Sequence, residues 1–332
     1  MKKVFITGAT GYIGWELTKK LLESDCVVHA YCRKAPEAEW FQHGNLKVFE
    51  GGLEDLPAIE RAMKGCEEVY HLAAYARVWA RSKNTFFKVN VMGTVNILRA
   101  ALSTGVRKVV FTSTGGTFGI SNGKPIAEDQ PRMTDFFTEY ESSKFIAEEQ
   151  VQHFVRKGLD VSIVHPVRVY GPGIMTESNV LTMMIKAYAE GNWHIIPGTG
   201  EAIGSFSYIN DVVEGHLRAM KRGKAGEKYI LGGVNASFSQ FIHLLKELTG
   251  KSYFMVKLPM PVMLMYGLKE EILANWFNVE PKITCKWIRK YNYDMGCSSE
   301  KAIHELGYHI TPLEEGLYAT LQWLEDEHHV YL

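Results

Sequence analysis

A glycine-spaced turn near the start of the chain limits its folds more than any other feature. Gly8-Ala9-Thr10-Gly11-Tyr12-Ile13-Gly14 joins the apolar run Val4 to Thr7 to a helical pattern that begins at Tyr12. Glycines there let the backbone turn tightly and approach a pyrophosphate, and the helix N-terminus then offers free N–H groups to that anion. The spacing is G-x-x-G-x-x-G, not the commoner G-x-G-x-x-G. Its strand and helix flanks still predict a dinucleotide site.

The rest of the first half continues the rhythm. Strands are expected at Val27–Cys32, Leu46–Phe49, Glu68–Leu72, Val106–Phe111 and Val161–His165, with helices at Tyr12–Glu23, Phe86–Leu102 and Glu139–Val155. Such alternation predicts a parallel sheet with helices on both faces. After Tyr170 the rhythm breaks at Gly171-Pro172-Gly173, and helical patterns dominate. The expected fold is therefore α/β: a Rossmann-type doubly wound parallel sheet with a smaller, mostly α-helical C-terminal substrate lobe. Residues 1–170 should form the dinucleotide domain, with a returning segment near 205–223. Residues 171–204 and 224–332 should form the lobe.

Composition removes several classes. Lys plus Arg and Asp plus Glu both number 37, a balance that favours neither nucleic acid nor an anionic membrane. No apolar run approaches the ~20 residues of a membrane span. The five cysteines are scattered, and no pair has C-x-x-C spacing. No metal site is expected, and a reducing, cytoplasmic setting fits best.

Two further stretches bear on chemistry. Tyr140 and Lys144 lie four apart in a helical pattern and so share a face. A cation beside the phenol should lower its pKa and make it an acid/base. Thr112-Ser113-Thr114-Gly115-Gly116 follows a buried strand, where parallel α/β sheets bind ligands. At the end of the second strand stand Arg33 and Lys34 with no acid. That predicts NADP in preference to NAD, because a base accommodates a 2′-phosphate.

Taken together, these motifs resemble the extended short-chain dehydrogenases/reductases, the NAD-dependent epimerase/dehydratase superfamily. The resemblance spans essentially the whole chain. It rests on the glycine turn, His71-Leu72-Ala73-Ala74, Asn90-Val91-Met92-Gly93-Thr94, Thr114, Tyr140-x-x-x-Lys144, Val169-Tyr170-Gly171-Pro172-Gly173, and Ser207 to Val212. The resemblance implies Tyr140 as proton donor or acceptor, Lys144 as its tuner and ribose ligand, and Thr114 as the catalytic hydroxyl, with Ser113 as fallback. It implies that Gly8, Thr10, Gly11, Tyr12, Ile13, Gly14, Leu72, Ala73, Ala74 and Thr112 hold the dinucleotide, and that Pro166 and Arg168 lie near the nicotinamide. Asn90 would support the long helix, and His71 would be structural. A homodimer through the helices carrying Asn90 and Tyr140 is implied too.

The chain departs from the pattern in places. Gly52 and Leu53 stand where the family has an adenine-contacting aspartate, leaving Leu53 or Asp55 for that contact, and Phe118 replaces a tyrosine. Nucleotide-sugar enzymes usually carry an arginine just before the Phe206 segment, whereas this chain has Ile203-Gly204-Ser205. An arginine-poor pocket suits an uncharged substrate. The sequence looks most like the dihydroflavonol reductase-like and 3β-hydroxysteroid dehydrogenase-like group, so the expected reaction is reduction of a ketone or aldehyde on a small, apolar molecule. The alternative is a nucleotide-sugar epimerase or dehydratase using bound NAD. The Met- and aromatic-rich stretch from Met255 to Phe277 is expected to be core of the lobe, with a lid over an apolar substrate as the other reading.

Overall fold

Strand follows helix through the first two-thirds of the chain. The structure, a computed structural model, describes residues 1–121, 123–176 and 179–328. Its strands are β1 Lys2–Thr7, β2 Cys26–Cys32, β3 Leu46–Glu50, β4 Glu68–His71, β5 Lys108–Thr112, β6 Val161–Pro166, β7 Val169–Tyr170, β8 Ile195–Pro197, β9 Ile203–Tyr208, β10 Lys228–Leu231, β11 Val234–Ser237 and β12 Val256–Leu258. Its α-helices are α1 Tyr12–Leu22, α2 Leu56–Met63, α3 Asn84–Phe86, α4 Gly93–Ser103, α5 Glu139–Arg156, α6 Val180–Ala189, α7 Ile209–Arg222, α8 Phe238–Thr249, α9 Met260–Phe277, α10 Cys285–Arg289 and α11 Leu313–His328. A π-helical turn, Phe87–Met92, joins α3 to α4.

Seven strands form one sheet in the order β10-β6-β5-β4-β1-β2-β3, every pair parallel. Side chains alternate across it. Val4 and Ile6 enter a core shared with α1 and α7, while Phe5 enters a second core with α2, α4 and α5. Burial on both faces explains why the middle of β5, Val109 to Phe111, is apolar. Caps fix the helix starts. Thr138 accepts from the Glu141 N–H at the head of α5, and Ser237 with Gln240 forms a capping box at the head of α8.

Two sequence expectations need correction, and one helix had no sequence expectation. Lys228–Leu231 was placed in the smaller lobe, but it pairs with β6 as the outermost strand of the large sheet. The return segment therefore runs past 223, because α7 carries the chain back along the sheet to that open edge. Helix α2 was not foreseen, and Asp55 caps it. The Met-rich stretch was expected to be core, yet α9 buries only Met263, Gly267 and Ala274. Met265 is 72% exposed and Trp276 81%. Apolar residues surround α9 on all sides, so their spacing could not reveal which face packs.

The lobe contributes two small sheets, β11-β9-β7 and β12-β8. Asp211, in α7, accepts from both the Thr311 N–H and its hydroxyl, which ties the segment before α11 to the sheet domain.

Candidate active site

Strand order reverses beside β1. The chain runs β1, β2, β3 to one side, then crosses to β4, β5, β6 on the other. In such sheets the ligand crevice opens at the carboxyl ends of the two strands flanking the reversal, here β1 and β4. Gly8 lies at that point with φ +79°, and a Cβ on it would sit 2.7 Å from the Ala73 nitrogen. A Cβ on Gly14 would overlap the Gly8 carbonyl. Gly11 caps α1 without a side-chain hydrogen bond, which leaves first-turn N–H groups for an outside acceptor. Thr10 is exposed and Ile13 half-buried beside it. The turn thus has the close backbone approach and the free donors that a pyrophosphate needs. The Tyr12 hydroxyl is turned away from the turn, donating to the Gly171 carbonyl at 2.8 Å, which leaves only its backbone facing the turn.

A buried relay fixes the opposite wall. The Ala73 N–H donates to the Thr7 hydroxyl at 3.2 Å, and that hydroxyl meets His71 Nδ1 at 2.7 Å. His71 Nε2 meets the Thr94 hydroxyl at 3.0 Å, and Thr94 donates to the Asn90 carbonyl. Directionality makes His71 a neutral ring protonated on Nε2. Burial, with Lys144 nearby, pushes its pKa down to about 3. His71 is therefore a strut that holds Leu72, Ala73 and Ala74 against β1.

Arg33 and Lys34 are both exposed just past β2. The side chain of Leu53 faces Gly93, and its carbonyl accepts from Asn96. Asp55 accepts from the Ala58 N–H as a helix cap, so its carboxylate is already engaged.

After β5 three successive hydroxyls diverge. Thr112 meets His216 at 3.0 Å, towards α7. Its side chain is thus turned away from the expected dinucleotide role. Ser113 donates to Glu148 at 2.5 Å. Glu148 also lies 3.0 Å from His165 and 2.7 Å from Lys228. Burial would raise its carboxyl, but His165 and Lys228 outweigh burial and hold it at about 2. Ser113 is therefore occupied, and the fallback assignment lapses. Thr114 remains, half-buried and within hydrogen-bond reach of the Tyr140 hydroxyl.

Tyr140 and Lys144 lie on α5 as the spacing required. Their electrostatics differ from expectation. Burial, reinforced by Glu141, pushes the Tyr140 hydroxyl up to about 12 against the opposing Thr114 hydrogen bond. Lys144 is buried, with its Nζ 4.1 Å from the centre of the Phe111 ring. Burial brings it down to about 7 although Glu148 favours its charge. Desolvation dominates both groups, so the expected lowering of the phenol by its neighbour is absent.

Supporting residues surround this pair. Asn90 accepts from the Tyr75 N–H at 2.7 Å and donates to the Ser143 hydroxyl at 2.9 Å. It does so from the π-helical turn, which shifts the helix register locally. Sequence reasoning missed Arg132, Glu141 and Lys290. Arg132 holds the carbonyls of Gly116 and Thr117 at 2.8 and 2.9 Å, fixing the loop that carries Thr114. Glu141 accepts from the Phe137 N–H and pairs with Lys290 at 2.6 Å. Pro166 ends β6, and Arg168 follows where the chain leaves the large sheet for β7. The arginine-poor pocket is thus corrected: Arg168 and Lys290 reach this region from distant segments.

A profile of the NAD dependent epimerase/dehydratase family matches residues 4–232. The chain belongs to that family. Among relatives, "Sterol demethylase protein B" of Methylococcus capsulatus is 30% identical, the match covering 97% of this chain and 98% of that one. A "Putative dihydroflavonol 4-reductase" of Synechocystis sp. is 27% identical, with 98% and 95% covered. Among solved structures of the fold, the UDP-glucose 4-epimerase of Thermotoga maritima with UDP-glucose superposes at TM-score 0.81 with 26% identity, covering 98% of this chain and 99% of that one. This epimerase/dehydratase-family chain thus has both reductases and epimerases among its relatives.

Proposed function

We propose that the protein reduces a ketone or aldehyde on a small molecule, drawing hydride from a nicotinamide dinucleotide. The observation that carries this reading is the Tyr140 hydroxyl beside Thr114, with the phenol held up at about 12. A neutral phenol is the form that donates a proton, and a carbonyl that accepts hydride needs one. Thr114 hydrogen-bonds the same substrate oxygen as charge develops on it. Lys144 holds ribose hydroxyls, and its charge stabilises the tyrosinate left after the transfer. Gly8, Gly11, Gly14 and the first turn of α1 cradle the pyrophosphate, and Leu72, Ala73, Ala74 and Pro166 line the dinucleotide. The bound dinucleotide supplies the hydride chemistry.

Arg33 and Lys34, exposed past β2 with no acid beside them in the sequence, favour NADP over NAD. The resemblance to the Thermotoga maritima epimerase favours a second reading, nucleotide-sugar epimerisation or dehydration with bound NAD. Phe87, Met92 and Leu102 are exposed on the helix of Asn90, which supports a homodimer there; light scattering tests it.

A Tyr140→Phe protein tests the central assignment. It should bind NADPH like the wild type and lose about 10²- to 10⁴-fold in carbonyl reduction. Full activity in that variant would remove Tyr140 from the chemistry.

A further inference from the structure

Arg168 holds its backbone at φ +38°, a region that residues with long side chains rarely adopt. Strained residues of this kind cluster at ligand sites. The guanidinium lies against β9, and any side chain at 204 would overlap it, so glycine there makes the room. Its Cζ is 5.7 Å from the Phe206 ring and 5.9 Å from the Phe238 ring. Tyr291 and Cys297 are the acidic groups near enough to favour its charge, and burial raises the pKa of both, which keeps them protonated. Among the described residues no carboxylate pairs with the guanidinium, and its Nη1 is buried without a hydrogen-bond partner. A buried cation in this condition is unfavourable until something neutralises it.

The surroundings add positive charge. Lys290 feels both Arg168 and Arg132. The acid in the group, Glu141, is already paired with Lys290 and lies 3.8 Å from Arg132. Arg132 is saturated by backbone carbonyls. Trp287, whose ring lies 4.5 Å from Lys290 Nζ, also has a buried N–H without a partner. Both orphan atoms are donors, so what each lacks is an acceptor. The place adjoins the reacting pair from two sides. Val167 packs where Gly115 leaves space, next to Thr114, and Lys290 binds Glu141, next to Tyr140.

We propose that Arg168, flanked by Lys290, binds a carboxylate or phosphate oxyanion carried by the substrate close to the carbonyl that Tyr140 serves. The word substrate rests on the reading of Tyr140 and Thr114 given above. Anion binding does not require turnover. The planar fork of arginine suits either oxyanion bidentately.

The test uses the whole protein saturated with nicotinamide dinucleotide, so that the cradle at Gly8 is already filled. It is titrated with benzoate, with neutral benzamide and with UDP, and melting is followed. Benzoate or UDP should raise Tm by about 3 °C, and benzamide should not. Arg168→Met should abolish the shift while melting no lower than the wild type, because it removes an unpaired charge. Arg168→Gln serves if the methionine variant does not fold. A shift with benzoate alone assigns a carboxylate, and a shift with UDP alone assigns a phosphate source. No shift in the wild type, or equal shifts in wild type and variant, overturns the proposal. A protein that binds benzoate through Arg168 yet oxidises no NADPH with any carbonyl keeps the anion site and loses the reductase reading. The converse result loses the anion site alone.

Discussion

Single residues divide here into those that face a ligand and those that hold another residue in place. Thr112, Ser113 and Thr114 are neighbours of similar chemistry, yet the first two hydroxyls bond His216 and Glu148, while that of Thr114 accepts from the Gly116 N–H and lies near Tyr140. The strand ends at Thr112, so the turn that follows re-aims the chain, and Thr114 is the one left near the phenol. On the proposed reading, Arg33 belongs to the ligand-facing group. Arg33→Asp should weaken NADPH binding at least about tenfold, because it sets a carboxylate against a 2′-phosphate. NADH binding should hold or improve. Fluorescence titration of the two reduced cofactors decides it, and parallel losses for both would return Arg33 to the solvated surface.

At the scale of elements, local signals and distant ones fared differently. The glycine turn, the Tyr140–Lys144 spacing and the buried strands were legible because each is set within a few residues. The partners of Glu141, Arg132 and Arg168 were not. Lys290 lies 149 residues from Glu141, and nothing in either local sequence marks the pair. The exposed α9 was misread for a related reason: its apolar residues satisfy helical spacing without saying which face has a neighbour. The π-helical turn before α4 was also beyond reach, although Asn90 was expected to support the helix. Asn90 joins the loop at Tyr75 to Ser143 on α5, whose hydroxyl donates to the Tyr140 carbonyl. Asn90→Ala leaves the Tyr75 N–H without that acceptor and should cost about 1–3 kcal/mol in urea denaturation. It should lower turnover as well, since the start of α5 loses an anchor. Unchanged stability would show that the loop is held by other contacts.

At the scale of the whole molecule, the two sheet faces hold titratable groups that dictate behaviour in acid. His71 is depressed to about 3 and His216 to about 4, both by burial first. In the unfolded chain both take up protons near 6.5. Glu148 is held at about 2 by His165 and Lys228, against roughly 4.3 when unfolded. In each case the unfolded chain binds more protons over the interval, so stability rises with pH there. The histidine contribution should be complete above about pH 6.5 and decline as pH falls towards 3, with Glu148 adding to the loss below about 4.5. Lys144, lowered to about 7 from an ordinary ~10.4, extends the same sign into the alkaline range. Melting curves from pH 9 to pH 4 check this, and a flat Tm from pH 7 to pH 4 would contradict the buried, neutral histidines.

The same scale separates a reductase from an epimerase, since the fold serves both. The decisive measurement follows nicotinamide absorbance while the purified protein turns over carbonyl substrates and, separately, nucleotide sugars. The account predicts net loss of NADPH, one equivalent for each carbonyl reduced, abolished in Tyr140→Phe. Turnover of a nucleotide sugar with no net change in nicotinamide absorbance, and no consumption with any carbonyl, would contradict it.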